Sequence, residues 1–168
     1  YIEHASQGNG ADFGNLLSTR ANSTSTGSCS STRGLSEAGG TGGGSVVNEI
    51  EYITMATIGN AQDFGNLTVA RELCASCSNG TRGVTGGGGE PGVSNVMDYL
   101  TIASTGNASD FGDHLSANNA TYGYCTHNKI YAYYGRVAGA NYQEKHTIAT
   151  AANATAFTWT NLGTIGPG

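Results

Sequence analysis

Hydrophobic and polar positions alternate in short runs that recur along the chain. In Tyr52-Ile-Thr-Met55 and Tyr99-Leu-Thr-Ile102, Ile53 and Met55 correspond to Leu100 and Ile102, while Tyr52 and Thr54 correspond to Tyr99 and Thr101. Successive side chains of a strand point to opposite sides of a sheet, so this period of two predicts strands with the Leu/Ile/Met face as the core. Each run opens a longer phrase that is written almost unchanged: Tyr1 to Leu16, Tyr52 to Leu67, Tyr99 to Asp113, and a worn copy from Lys145 to Phe157. Internal repeats make each copy a structural module before they make it a site.

The phrase continues as Gly-Asn-Ala-x-Asp-Phe-Gly. Gly59, Gly65, Gly106 and Gly112 permit positive φ and Asn or Asp side chains close turns on their own backbone, so a turn is expected, with Phe64 and Phe111 re-entering the core. Asp-Phe-Gly is also a kinase tripeptide, but no lysine strand or catalytic loop accompanies it. Oxygen ligands for calcium at Asn60, Asp63, Asn66, Asn107, Asp110 and Asp113 lack a known loop spacing, and turn capping is the reading adopted.

Between copies lie Cys29-Ser-Ser-Thr-Arg-Gly-Leu35 and Cys77-Ser-Asn-Gly-Thr-Arg-Gly-Val84, followed by the glycine runs 39–44 and 86–89. Neither run carries the Gly-Lys-Ser/Thr of a phosphate loop, so both are expected as hairpin or crossover connections. The expectation is all-β: tandem four-stranded repeats of roughly 47 residues, arranged as in a β-propeller or, alternatively, as a linear β-solenoid or fibre-forming stack. The whole chain, 1–168, reads as one repeat domain, with a half unit at 1–17, units at 18–67 and 68–115, and a divergent terminal unit at 116–168. Three units and a half fall short of the roughly four blades of a closed ring. In the terminal unit Tyr122, Tyr124, Tyr131, Tyr133 and Tyr134 replace small residues. They either stack on a ligand or cover the open end of the array.

Composition sharpens this picture. Of 168 residues 27 are glycine and 11% are charged, which disfavours amphipathic helices. A net charge of −5 with seven dispersed basic residues argues against nucleic acid, and no apolar run is long enough to span a bilayer. The chain opens at Tyr1 within a repeat, which suggests processing or excerpting. Cys29, Cys77 and Cys125 are spaced 48 residues apart and are expected at one repeated position, as buried thiols or in disulfides with Cys74. A lone Cys74-x-x-Cys77 is weak evidence for zinc, and His4 is read as a polar substitution in a terminal copy. Asn22, Asn66, Asn79, Asn107, Asn119 and Asn153 are glycosylation acceptors if the protein is secreted.

The order Arg, small-residue strand, Thr-Arg-Gly-Val strand, Gly-Gly, Asn-x-x-x-Tyr strand, turn, Phe-Gly-x-Leu, Arg resembles kelch repeats. The wording Gly-Asn-Ala-x-Asp-Phe-Gly is similar to repeat arrays in structural proteins of large tailed phages. The blade tryptophan of kelch repeats is absent, with Phe64 and Phe111 nearest its place. Copper chemistry of galactose-oxidase relatives does not carry over, since His4, His114, His127 and His146 show no pairing in the sequence. The resemblance implies a non-enzymatic structural or adhesive protein, in a virion or outside the cell, that uses no cofactor or metal. It would bind surface glycans or proteins through its loops and associate with copies of itself or further repeats. A self-assembling filament subunit is the alternative, and an enzyme on a propeller scaffold finds no catalytic set outside the repeated positions.

Overall fold

The computed structural model describes residues 9–23, 28–89, 92–118, 122–125, 131–135 and 143–157; for 118, 122–125, 131–135, 143 and 157 only the backbone is described. Among these residues there is no helix and therefore none long and apolar enough to cross a membrane. Eleven strands form three antiparallel sheets. Sheet 1 holds β1 (Arg33–Gly42), β2 (Ser45–Thr54) and β3 (Gln62–Asn66) in sequence order. Sheet 2 holds β4 (Ala75–Ser78), β5 (Arg82–Gly86), β6 (Ser94–Thr101) and β7 (Ser109–Asn118), and sheet 3 holds β8 (Tyr122–Cys125), β9 (Tyr131–Gly135), β10 (Gln143–Thr147) and β11 (Thr155–Phe157). All are meanders. Ahead of β1, Ala21 and Cys29 make isolated antiparallel bridges to Gly40 and Gly34.

The registers correspond. Leu35 faces Tyr52, Val84 faces Tyr99 and Tyr133 faces Lys145. Late in β1 and just after β5 the backbone turns left-handed at matching places, Ala38 with φ 60° and Gly39 with 123°, Gly87 with 69° and Gly88 with 120°. The glycine run 39–44 was expected to be all connection. It is instead shared between the bulged end of β1 and the turn into β2.

Two apolar clusters lie between the sheets. Leu35, Ile50 and Phe64 of sheet 1 meet Leu100, Ile102 and Ala108 of the second sheet and its turn, with Leu67 and Cys74. Val84, Met97, Phe111, Ala75 and Cys77 meet Ile148 and Ala154 in the same way. The expected Leu/Ile/Met core face is buried at Leu100 and Ile102 but not at Met55, which is 51% exposed, and sheet 2, covered on both sides, buries opposite positions as well. Tyr52 and Tyr99, on those opposite positions, pack edge-on against Phe64 and Phe111, with ring centroids 6.0 Å apart in both pairs. Arg33 lies over the Tyr52 ring at 4.5 Å and Arg82 over Tyr99 at 4.4 Å. Both phenylalanines are buried, as the turn phrase implied.

Candidate functional site

The chemistry-bearing side chains gather where one sheet meets the next. The Gly-Asn-Ala-x-Asp-Phe-Gly phrase forms the first part of each junction. Phe64 O and Asn66 O accept bonds from Gly106 N and Ala108 N at 2.7 and 2.8 Å, and Asn107 Oδ1 accepts one from Asn66 N at 3.1 Å. One copy earlier, Phe13 O and Asn15 O accept from Gly59 N and Ala61 N, and Asn60 Oδ1 accepts from Asn15 N. One copy later, Asp113 O accepts from Ala154 N, and Asn153 Oδ1 from Asp113 N. The Asp of each phrase caps its own turn: Asp12, Asp63 and Asp110 accept from Gly14, Gly65 and Gly112 N. Of the oxygens weighed above as calcium ligands, those of Asp63 and Asp110 cap turns and those of Asn60 and Asn107 serve as inter-sheet clips, while Asn66 and Asp113 join the clips through their backbone. Among the described residues no group of three or more His, Cys, Asp or Glu side chains is placed to share a metal ion.

A buried carboxylate forms the second part. Glu51, Asp98 and Glu144 stand at matching register positions and accept bonds from Leu17 N, Thr68 N and Leu115 N of the preceding segment, at 2.9, 3.3 and 2.7 Å. A cation joins each: Arg20 bonds Glu51, Arg71 approaches Asp98 to 2.9 Å, and His114 Nδ1 approaches Glu144 to 3.4 Å. Sheets 1 and 2 also enclose Glu37, whose Oε2 accepts bonds from the hydroxyls of Ser76 and Thr85. Glu37, Arg71 and Asp98 are at most 1% exposed, so this cluster is out of reach of any substrate. Burial pushes the neighbouring Cys74 thiol up to about 11 despite the adjacent Arg71, which keeps it protonated and a poor nucleophile.

Sequence reasoning missed the histidine grouping. His146 is buried against Phe111, with ring centroids 4.8 Å apart. Burial, with His114 nearby, lowers its pKa to about 4, so the imidazole is neutral at pH 7. Glu144 lies below its usual range, because the His114 and Leu115 N–H bonds outweigh the effect of burial. Nothing in the sequence joins these residues, since His114 stands on β7 of sheet 2 and Glu144 and His146 on β10 of sheet 3, and only the packing of one sheet on the next brings them together.

The cysteines are placed differently from the sequence expectation. Cys29, Cys74 and Cys77 are free thiols, Cys29 exposed and the other two buried. Cys29 pairs with Gly34, Ser78 with Gly83 and Cys125 with Ala132, so Ser78 stands at the shared position and Cys77 is one residue away. Equal spacing in sequence concealed this slip, because a shift of one residue reverses the face of a strand. The Cys125 side chain lies outside the described residues, as do those of Tyr122, Tyr124, Tyr131, Tyr133 and Tyr134, and Asn119 altogether. Of the other glycosylation acceptors, Asn107 and Asn153 are the clips described above. Asn79 Oδ1 caps Thr81 and Arg82 N, Asn22 Nδ2 donates to Glu72, and Asn66 is half-buried.

Outside the junctions, an uncharged cleft of about 340 Å³ is lined by Tyr52, Thr54, Thr57, Asn60 and Gln62. A cleft of about 260 Å³ recurs at the matching hairpin of sheet 3, lined by Lys145, Thr147, Thr150, Asn153 and Thr155. No protein-family model matches the chain, and no curated protein matches it.

Proposed function

We propose that this is a non-enzymatic structural or adhesive protein of a virion or extracellular assembly. Its sheets would act as tandem four-stranded units, stacked as propeller blades or in a linear array, that bind surface glycans or proteins through their exposed loops. The observation that supports this reading most is the use made of the ionisable groups. Arg20, Arg71, Glu51, Asp98 and Glu144 bond across junctions between successive segments. The hairpin cleft of sheet 1 offers mainly hydroxyls and amides, and the matching cleft of sheet 3 sets Lys145 and several threonines against a largely apolar wall. An enzyme needs reactive groups that converge on a substrate; a multivalent binder needs a rigid spacer and repeated weak contacts, which raise avidity by ~10²–10⁴ without a deep pocket.

The test is to image purified particles and to measure binding to immobilised glycans and cell surfaces on the same preparation. Rings or short stacks that bind a surface, with no turnover of small substrates, are the expected result. Turnover abolished by substitutions confined to one sheet would overturn the reading. A filament subunit is the second form of this proposal, favoured by the exposure of Met55 and Leu16, whose counterparts Ile102 and Leu67 are buried, and the same images distinguish it.

A further inference from the structure

The hairpin that joins β2 to β3 repeats in the other two sheets with the same frame and a different mouth. Its turn closes alike in all three: Thr57 N donates to Thr54 O at 3.3 Å, Ser104 N to Thr101 O at 3.2 Å and Thr150 N to Thr147 O at 3.1 Å. Below the turn one cross-strand pair changes from sheet to sheet, Tyr52 with Gln62, Tyr99 with Ser109 and Lys145 with Thr155. In sheet 1 the pair borders the uncharged cleft of about 340 Å³.

Fixed partners orient the polar groups of this cleft. The Tyr52 hydroxyl donates to Gln62 Oε1 at 2.6 Å and Asn60 Oδ1 accepts from Asn15 N at 3.0 Å, so both amide oxygens are engaged and both NH₂ groups are turned away from those bonds. Tyr52 is itself held, with Arg33 over its ring at 4.5 Å and Phe64 against it edge-on. Arg33 is fixed in turn by its bond to Ile102 O of sheet 2. Thr54, Thr57, Asn60 and Gln62 are exposed, and among the described residues no side chain bonds the two threonine hydroxyls or the two NH₂ groups. Ile58, 66% exposed, adds an apolar lip to this polar floor.

We propose that the hairpin cleft of sheet 1 binds a neutral saccharide unit, whether free or at the end of a surface glycan; this rests on the adhesive reading above and names its ligand. Sugar hydroxyls both donate and accept, which matches a lining of amide NH₂ groups, threonine hydroxyls and the Tyr52 oxygen. The C–H face of a sugar ring is apolar and suits the Ile58 lip. No cation lines the cleft, so a carboxylate, sulfate or phosphate would give up its water for no opposite charge, and that loss excludes acidic sugars. A few neutral hydrogen bonds make one such contact weak, and repetition on a surface supplies the rest. In sheet 3 Lys145 stands in the place of Tyr52, so the matching cleft there differs in charge.

Nuclear magnetic resonance on the isotope-labelled full chain tests the cleft, with neutral gluco-, galacto- and manno-oligosaccharides and oligogalacturonate as the probes. At least one neutral series should shift the Asn60 and Gln62 side-chain amide signals saturably, and oligogalacturonate should not. Gln62→Leu and Thr57→Val, each at an exposed position, should weaken that binding roughly five- to tenfold with circular dichroism unchanged. Val93→Ser, an exposed site outside the hairpin, should leave it intact. No saturable shift from any neutral series, equal shifts from oligogalacturonate, or binding indifferent to both hairpin variants overturns the proposal. Adhesion of the same samples to cell surfaces reports separately on the function. Saccharide binding without adhesion supports the cleft against the adhesive reading, and adhesion without saccharide binding does the reverse. Where both occur, release from the surface by the soluble oligosaccharide assigns the ligand to a surface glycan, and adhesion that resists it assigns a free saccharide.

Discussion

Gly65 and Gly112 hold φ values of 143° and 133° at the point where one turn phrase touches the next. A Cβ on Gly65 would come within 2.4 Å of Gly106 O, and backbone cannot swing aside as a flexible side chain can. Gly59 by contrast has open space around it and an ordinary φ. Gly65→Ala is therefore expected to destabilise the protein by about 2 kcal/mol or more, and Gly59→Ala by well under 1, as measured by denaturant unfolding. Equal effects would mean that the clip does not carry the junction.

His146 makes a second prediction at this scale. Its folded pKa of about 4 lies below the unfolded value near 6.5, so the unfolded chain binds a proton that the folded one refuses. Stability is full above about pH 6.5 and declines as pH falls towards 4; Glu144, held below its usual range, adds a loss in the same direction below about 4.5. Replacing His146 with Leu should flatten the slope between pH 6.5 and 4, and an unchanged slope would exclude His146 as its source.

At the scale of the element, sheet 2 is packed on both faces, against sheet 1 and against sheet 3, so the costliest substitutions are those that unseat a junction. Phe64→Ala and Phe111→Ala should each cost roughly 3–5 kcal/mol, the range for a core aromatic. Both phenylalanines are about 2% exposed and sit at matching places, so the two losses should agree within about 1 kcal/mol. Arg71→Met leaves Asp98 buried without its cation and should cost about 3–5 kcal/mol, and the double variant Arg71→Met with Asp98→Leu should recover much of it. Additive losses in that pair would show that the two side chains do not share a buried bond.

Much of this was legible in the sequence. The written repeats foretold strands, turns and buried phenylalanines, because those depend on near neighbours along the chain. What crosses from sheet to sheet was not legible. Nothing in the order of residues marks Glu51, Asp98 and Glu144 as partners of Leu17, Thr68 and Leu115, and the one-residue slip at Cys77 is visible only once strands are paired. The second buried face escaped for the same reason: alternation reveals that a strand has two sides, not that both are covered.

For the whole molecule, the third sheet keeps the architecture of the second while changing its residues. Arg82 lies over Tyr99 in sheet 2, whereas in sheet 3 Tyr131 occupies the arginine's register and Lys145 the tyrosine's, so ring and cation trade strands. Apolar clusters on the two faces of sheet 2 join it to sheets 1 and 3, and two-state unfolding of the full chain is expected by calorimetry and circular dichroism alike. Separate transitions would show that junctions are weaker than the sheets they join.

The clip between turn phrases consists of main-chain groups and a single asparagine amide: the later phrase gives two N–H donors and the asparagine oxygen, the earlier one two carbonyls and an N–H. Such a connection is indifferent to which copy comes next. Were the sheets stacked as proposed, a period gained or lost by recombination within the repeated phrase would leave every remaining clip closed, and the reach of the array would lengthen or shorten without redesign of any part.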